Sequence, residues 1–215
     1  LKRSWALYTV CWKVLRHDKE LLLFPIISGI SLVITLAVIF GSGLVDRLAG
    51  AVEDQARLAG TDYLIMFLFY FINYFIIIYF NAALIGAARI RLQGGDPTLR
   101  DGFRTANANL LGITGWAAIS AVVSLLFYAL DKAARMRIAE QRGRGSSGAV
   151  IALMVLAVLS QIAQIAWSVI TYLVIPVLVV EKVGPIQAIK RSAWLVKKTW
   201  GEQLVSRFGF DLMVI

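Results

Sequence analysis

The sequence predicts an all-α, polytopic integral membrane protein, a helical bundle with cytoplasmic in-plane amphipathic helices. Three observations predict it. The chain is 59% hydrophobic and only 16% charged, with a mean hydropathy of +0.75, whereas soluble domains carry about 25% charged residues. Its apolar residues fall in runs too long for core helices of a soluble domain. The basic residues behind its net charge of +9 lie between those runs, a placement that suits anionic lipid headgroups better than nucleic acid.

The chain opens with LKRSWALYTVCW, and a related stretch, IKRSAWLVKKTW, returns at 189–200. On a helix over about 2–17, Trp5, Tyr8, Trp12 and Leu15 share one face, with Lys2, Thr9, Lys13 and Arg16 on another. Arg3 adds to the basic end. The first span runs from about 21 to 44 and would be about 36 Å long, enough for a hydrocarbon core of about 30 Å with some tilt. Pro25 sits in its first turns, where a missing N–H does least harm. The second span, about 63–88, carries the aromatic run YLIMFLFYFINYFIIIYF. Then GGDPTLRDGFRTANANL predicts a helix over about 97–109. Asp96 is expected as its N-cap and Pro97 as its first residue, with Leu99, Phe103, Ala106 and Leu110 on one face and Arg100 and Arg104 beside them. The third span covers about 110–130 and is followed by a basic, glycine-ended loop, DKAARMRIAEQRGRGSSG. The fourth, about 149–180, is read as one tilted helix ending or kinking near Pro176. A third amphipathic helix is expected over about 185–204, with Ile186, Ile189, Ala193, Val196 and Trp200 aligned and Lys190, Arg191, Lys197 and Lys198 pointing elsewhere. A fifth span begins at about 208–215, so the chain is expected to be the ordered part of a longer protein whose remaining spans are missing.

The unit therefore repeats: basic amphipathic helix, span out, span back. Lys2-Arg3-Ser4, Arg104-Thr105 and Lys190-Arg191-Ser192 mark equivalent points. With the N-terminus cytoplasmic, 15 of the 22 Lys and Arg fall on the inner side, as the positive-inside bias requires. The basic faces are candidate headgroup contacts (Lys2, Arg3, Lys13, Arg16, Arg100, Arg104, Lys190, Arg191, Lys197, Lys198), with Trp5, Trp12, Trp194 and Trp200 as interfacial anchors. Alternatively these helices only cap the inner end of the bundle.

Chemistry is sparse. One cysteine, Cys11, and one histidine, His17, exclude disulfide frameworks and motifs needing two of either. His17, beside Arg16, Asp18 and Lys19, reads as an interfacial side chain. No charged residue is expected at membrane depth, and no paired carboxylates, nucleophile triad or phosphate loop occurs. Neither metal nor cofactor is expected, and no catalytic residue is assigned. What remains is uncharged polarity: Ser160, Gln161, Gln164, Ser168 and Thr171 form a stripe on the fourth span, with Ser120 and Ser124 on the third and Asn73 and Asn81 on the second. Such residues face protein or a cavity, not lipid. They line a substrate path or, the weightier reading, hydrogen-bond between helices. Ala82-x-x-x-Gly86 and Ala83-x-x-x-Ala87 have the spacing of a close helix contact.

Three stretches carry a resemblance: SWALYTVCWKVLRHDKELLLFPIIS, FNAALIGAARIRLQGGDPTLRDGFRTA and YLVIPVLVVEKVGPIQAIKRSAWLVKKTWGEQL, the last with its Pro-x-Leu-Val-x-Glu-x-x-Gly-Pro and Arg-Ser-x-x-Leu motifs. They resemble an uncharacterised bacterial family of six-span membrane proteins, a domain of unknown function. That resemblance implies an inner-membrane helical fold and no established activity. The expected function is a non-enzymatic scaffold or accessory subunit that binds anionic lipids and a partner membrane protein. The alternative is a transporter or channel-like protein for a small or amphipathic substrate.

Overall fold

The computed structural model describes residues 19–41, 43, 60–143 and 147–213. The expected helix over 2–17, with Lys2, Arg3, Trp5, Trp12, Lys13 and Arg16, lies outside them. The described residues form seven helices and no strand: α1 Lys19–Gly41, α2 Gly60–Leu92, α3 Leu99–Ala108, α4 Leu110–Gly143, α5 Ser147–Thr171, α6 Val174–Glu181 and α7 Pro185–Met213. Four segments are long and apolar enough to cross a membrane: Leu21–Gly41, Gly60–Leu92, Leu110–Ala134 and Leu153–Glu181.

Helix α2 is the hub, packing against α1, α3, α4 and α6. Its contact with α3 is built from small residues. Ala82, Ala83, Gly86 and Ala87 are all buried, facing Gly102 and Ala106 of α3. A Cβ at Gly86 would lie 2.4 Å from the Cβ of Thr105, and one at Gly102 would lie 2.9 Å from the Ala83 carbonyl and 2.4 Å from the Phe24 ring. Backbones this close exclude side chains altogether. The aromatic run of α2 forms a ladder at spacings of four, Phe67 to Phe71 to Phe75 to Tyr79, which ends on Phe103 of α3 with Tyr79 and Phe103 stacked at 6.1 Å.

Helix α3 starts later than expected. Its N-cap is Thr98, not Asp96, and Pro97 precedes the helix. The reason is a complete capping box. The Thr98 hydroxyl accepts from the Asp101 amide at 3.3 Å, and the Asp101 carboxylate accepts from the Thr98 amide at 3.1 Å, so two orphan donors are satisfied at once. Asp96 instead pairs with Arg91 at 3.3 Å. Leu110 does not continue the face of Leu99, Phe103 and Ala106, because α3 ends at a C-cap on Asn109 and Leu110 begins α4, 42% exposed.

The expected loop after the third span is helix as far as Gly143. Its residues from Asp131 to Arg142 are good helix formers with no Gly or Pro, so α4 simply continues past its apolar part.

The fourth apolar segment is two helices, α5 and α6, broken at Tyr172–Leu173. Pro176, four residues beyond Tyr172, cannot donate to the Tyr172 carbonyl and its ring would collide with it. The break is filled from α7. Ser192, fully buried, accepts from the Leu173 amide at 3.1 Å and donates to the Ile170 carbonyl. The inner face of α7 is therefore Ala188, Ser192, Ile189 and Leu195, not the expected Ile186–Ala193–Val196 line; Ile186 is 63% exposed. Helix α7 also runs unbroken from 185 to 213, merging the expected interfacial helix with the start of the fifth span. Thr105 meets Gly86, and Ser192 meets Leu173, across the same 19-residue separation. The Thr105 side chain packs on Gly86 while its hydroxyl donates to the Asp101 carbonyl within α3 at 3.0 Å, whereas the Ser192 hydroxyl bonds across to the preceding span.

Candidate binding cavity

A cavity of about 400 Å³ lies between α2, α4 and α5. Its walls are Tyr74, Ile77 and Ile78 from α2; Trp116, Ser120, Val123, Ser124 and Phe127 from α4; Gln164, Trp167, Ser168 and Thr171 from α5; and Ile175 from α6. Tyr74 is 14 residues into α2 and Ser120 ten into α4, about 21 Å and 15 Å along spans of bilayer length. The cavity thus lies toward the middle of both apolar segments. Helix α4 packs against both α2 and α5, and α6 closes against α2, but α2 and α5 have no substantial contact of their own. Of the three walls, α2 and α5 are therefore the pair that does not pack together.

Three residues of the predicted stripe, Gln164, Ser168 and Thr171, line it. The other two do not. The Ser160 hydroxyl donates to the Ala157 carbonyl at 2.8 Å, and Gln161 turns to a separate hollow beside Asp131. The remaining polar span residues divide in the same way. Ser31, Thr35 and Asn73 bond carbonyls of their own helices, which stay local and leave nothing for a guest.

Inside the cavity the hydroxyls of Tyr74 and Ser124 meet at 2.7 Å, and Thr171 bonds the Trp167 carbonyl at 2.8 Å. Ser120 is 7% exposed and has no hydrogen-bond partner among the described residues; neither do the side chains of Gln164 and Ser168. Trp116 and Trp167 stand side by side, their rings 6.1 Å apart. Ser120 is buried, Gln164 half-buried and Ser168 exposed, so these polar groups are open to a guest, either water or a polar ligand. No lining residue is charged. Among the described residues no group of three or more His, Cys, Asp and Glu is placed to hold a metal.

Of the predicted headgroup residues among the described ones, Arg100 and Arg104 lie on α3 and Lys190, Arg191, Lys197 and Lys198 on α7. Gly112 approaches Leu178 and Gly115 approaches Pro185, which puts the α6–α7 turn beside the start of α4. Arg100, Arg104, Lys190, Arg191, Lys197 and Lys198 are all exposed. Trp194, 48% exposed, lies between two of them, with Arg191 at 4.6 Å and Lys198 at 5.2 Å from its ring. Arg191 also pairs with Glu181 at 3.0 Å. Trp200 lies on α7. Near the opposite end, Asp62 in the first turn of α2 is buried, which the sequence did not signal.

A protein-family model described as a family of unknown function, DUF6159, matches residues 60–214. The chain belongs to that family. The DUF6159 match takes in α2 to α7 and so the entire cavity. No curated protein and no solved structure matches the chain.

Sequence reasoning singled out five of the thirteen residues that line the cavity. Its wall on α5 follows from the spacing of Gln164, Ser168 and Thr171. Tyr74 was hidden in an aromatic run, and Trp116 and Trp167 among residues that also suit lipid contact. The signal that could have found the tryptophans is a serine or glutamine one turn away on the same helix face, Ser120 for Trp116 and Gln164 for Trp167, whereas α2 gives Tyr74 no such neighbour.

Proposed function

We propose that this protein is a non-enzymatic, multi-pass protein of the bacterial cytoplasmic membrane that takes a small uncharged or amphipathic substrate into the α2–α4–α5 cavity, as a transporter or channel-like protein does. The N-terminus is cytoplasmic, the basic α3 end faces the same side, and the chain is part of a six-span architecture. The observation that carries this reading is the cavity lined by Gln164, Ser168 and Thr171 with the buried Ser120 turned into it. Stripe residues that only joined helices would be spent on one another. The neutral lining disfavours ions and strongly charged solutes.

A second reading, as an accessory subunit or scaffold that binds anionic lipid and a partner membrane protein, is favoured by a different observation. Helix α1 and the outer face of α5 leave Ile30, Val33, Ile34, Val158, Ile162 and Ile165 more than half exposed, and the Arg191–Trp194–Lys198 group suits a headgroup phosphate beside an acyl boundary.

Cysteine reactivity tests the first reading. In a Cys11→Ser background reconstituted in bilayers, Ser120→Cys should react with a small neutral thiol reagent, because a hydrated cavity permits the thiolate. Ile162→Cys, on the outer apolar face, should not. Equal inertness of the two overturns the cavity as a substrate site.

A further inference from the structure

We infer that the guest of this cavity is a membrane-dissolved, uncharged amphiphile, a molecule with a hydroxyl, carbonyl or amide head and an apolar tail, which enters sideways from the bilayer between α2 and α5. The inference rests on the reading of the cavity as a binding site and narrows its substrate class. Three features point there. The polar groups are few and gathered: Ser120, Gln164 and Ser168 offer both donors and acceptors with no protein partner among the described residues. Gln164 supplies two N–H groups and a carbonyl, and the serines can donate or accept, so a neutral head of either kind is satisfied. Of the remaining wall, the hydroxyls of Tyr74, Ser124 and Thr171 are bonded within the protein, and Ile77, Ile78, Val123, Phe127 and Ile175 offer apolar surface to a tail.

Access decides between a lipid-like and a water-borne guest. The gap between α2 and α5 lies at the depth of Tyr74 and Ser168, in the middle of the spans. Away from the cavity, the outer face of α5 is apolar, with Ile162 and Ile165 55% and 64% exposed. Toward the basic end the path is closed, since α6 packs on α2 with Val174, Val177, Leu178 and Val179 buried. A solute arriving from that water phase meets a packed core, whereas a molecule already in the hydrocarbon meets an opening. The volume of about 400 Å³ lies at the lower end of ordinary ligand pockets; it holds a head and a short length of tail, the remainder lying in the gap.

The test uses the full chain in phosphatidylcholine bilayers and two probes, dodecanol and glycerol, with Ser120→Cys modification in the Cys11→Ser background as readout. Dodecanol should slow modification at least tenfold, and glycerol should not. A diazirine-bearing dodecanol should label the Tyr74–Ile78 and Gln164–Thr171 peptides, and the Gln164→Leu, Ser168→Ala pair should cut that labelling at least fivefold, leaving labelling at lipid-facing α1 unchanged. Protection by glycerol with none by dodecanol overturns this inference while leaving the cavity as a site for a water-borne solute. Absence of any modification at Ser120→Cys, with labelling confined to lipid-facing residues, overturns both.

Discussion

Replacing Gly86 by Ala isolates the contact that fixes α3 on α2. The new methyl group would sit 2.4 Å from the Cβ, 2.5 Å from the Oγ1 and 2.7 Å from the Cγ2 of Thr105, where ordinary contact begins at 3.4 Å. About 1 Å must open. Rotating Thr105 does not help, because its Cβ is fixed to the α3 backbone, so the helix itself must back away from Ala82, Ala83 and Ala87. Overpacking of this kind costs about 1–3 kcal/mol, and the immovable partner puts Gly86→Ala at the upper end. Alanine is the better helix former by about 1 kcal/mol, which leaves a net loss of about 2 kcal/mol. Gly29→Ala in α1, with nothing within 4 Å of the new carbon, measures the propensity gain alone. Reversible unfolding in mixed micelles reads both, and a cycle with Thr105→Gly, which removes all three clashing atoms, should return most of the loss as coupling energy. If Gly86→Ala is as stable as Gly29→Ala, or the cycle shows no coupling, the close packing of α3 on α2 is wrong.

Ser192→Ala strips the bridge across the α5–α6 break and leaves the Leu173 amide and Ile170 carbonyl unmatched in a part-buried position, a loss of about 1–3 kcal/mol; an unchanged midpoint in the same unfolding assay would refute the bridge. Lys182 closes α6 in the left-handed region at φ 52°, so Lys182→Gly should stabilise the protein by about 1 kcal/mol, seen as a raised melting temperature. Hydrogen bonds from the Thr98 hydroxyl and amide hold the Asp101 carboxyl below its ordinary value of 3.8, aided by Arg104 and Arg100. A depressed pKa contributes stability that is present above the unfolded value and lost as the pH falls through the folded one. The denaturation midpoints of wild type and Asp101→Asn should therefore differ at neutral pH and converge in acid, below 3.8; a constant difference would contradict the capping box. Changing Lys190, Arg191, Lys197 and Lys198 to Gln should weaken the preference for anionic over zwitterionic spin-labelled lipid by about 1 kcal/mol per cation at low salt, and an unchanged preference would remove these residues from the headgroup contact.

Much of the fold was legible because membrane spans obey one loud rule, an uninterrupted apolar length, and all four candidate spans follow it. The Ala82–Gly86 pattern was legible for a related reason: small residues four apart lie on one helix face and let a neighbouring backbone approach. Details set by tertiary partners were not. Asp96-Pro97 and Thr98-x-x-Asp101 are both good helix starts, and the choice fell to the one whose two hydrogen bonds close on each other. Pro176 announced a break, but its place, four residues upstream, follows from the carbonyl that the ring would strike. Ser192 stood out only as part of the basic Lys190-Arg191-Ser192 stretch, and only the broken backbone of the neighbouring span gives its hydroxyl a reason to be buried. The same limit applies to the cavity. Spacing on α5 put three polar side chains on one face, yet whether they met partners or open space depended on the separation of α2 from α5, which no local pattern encodes.

The most direct measurement is water-edited solid-state NMR of the Gln164 side-chain amide in bilayers. A cavity that serves as a binding site predicts rapid magnetisation transfer to that amide from water, and its displacement by dodecanol. A dry amide, hydrogen-bonded to a side chain of α2 or α4 and indifferent to dodecanol, would contradict it.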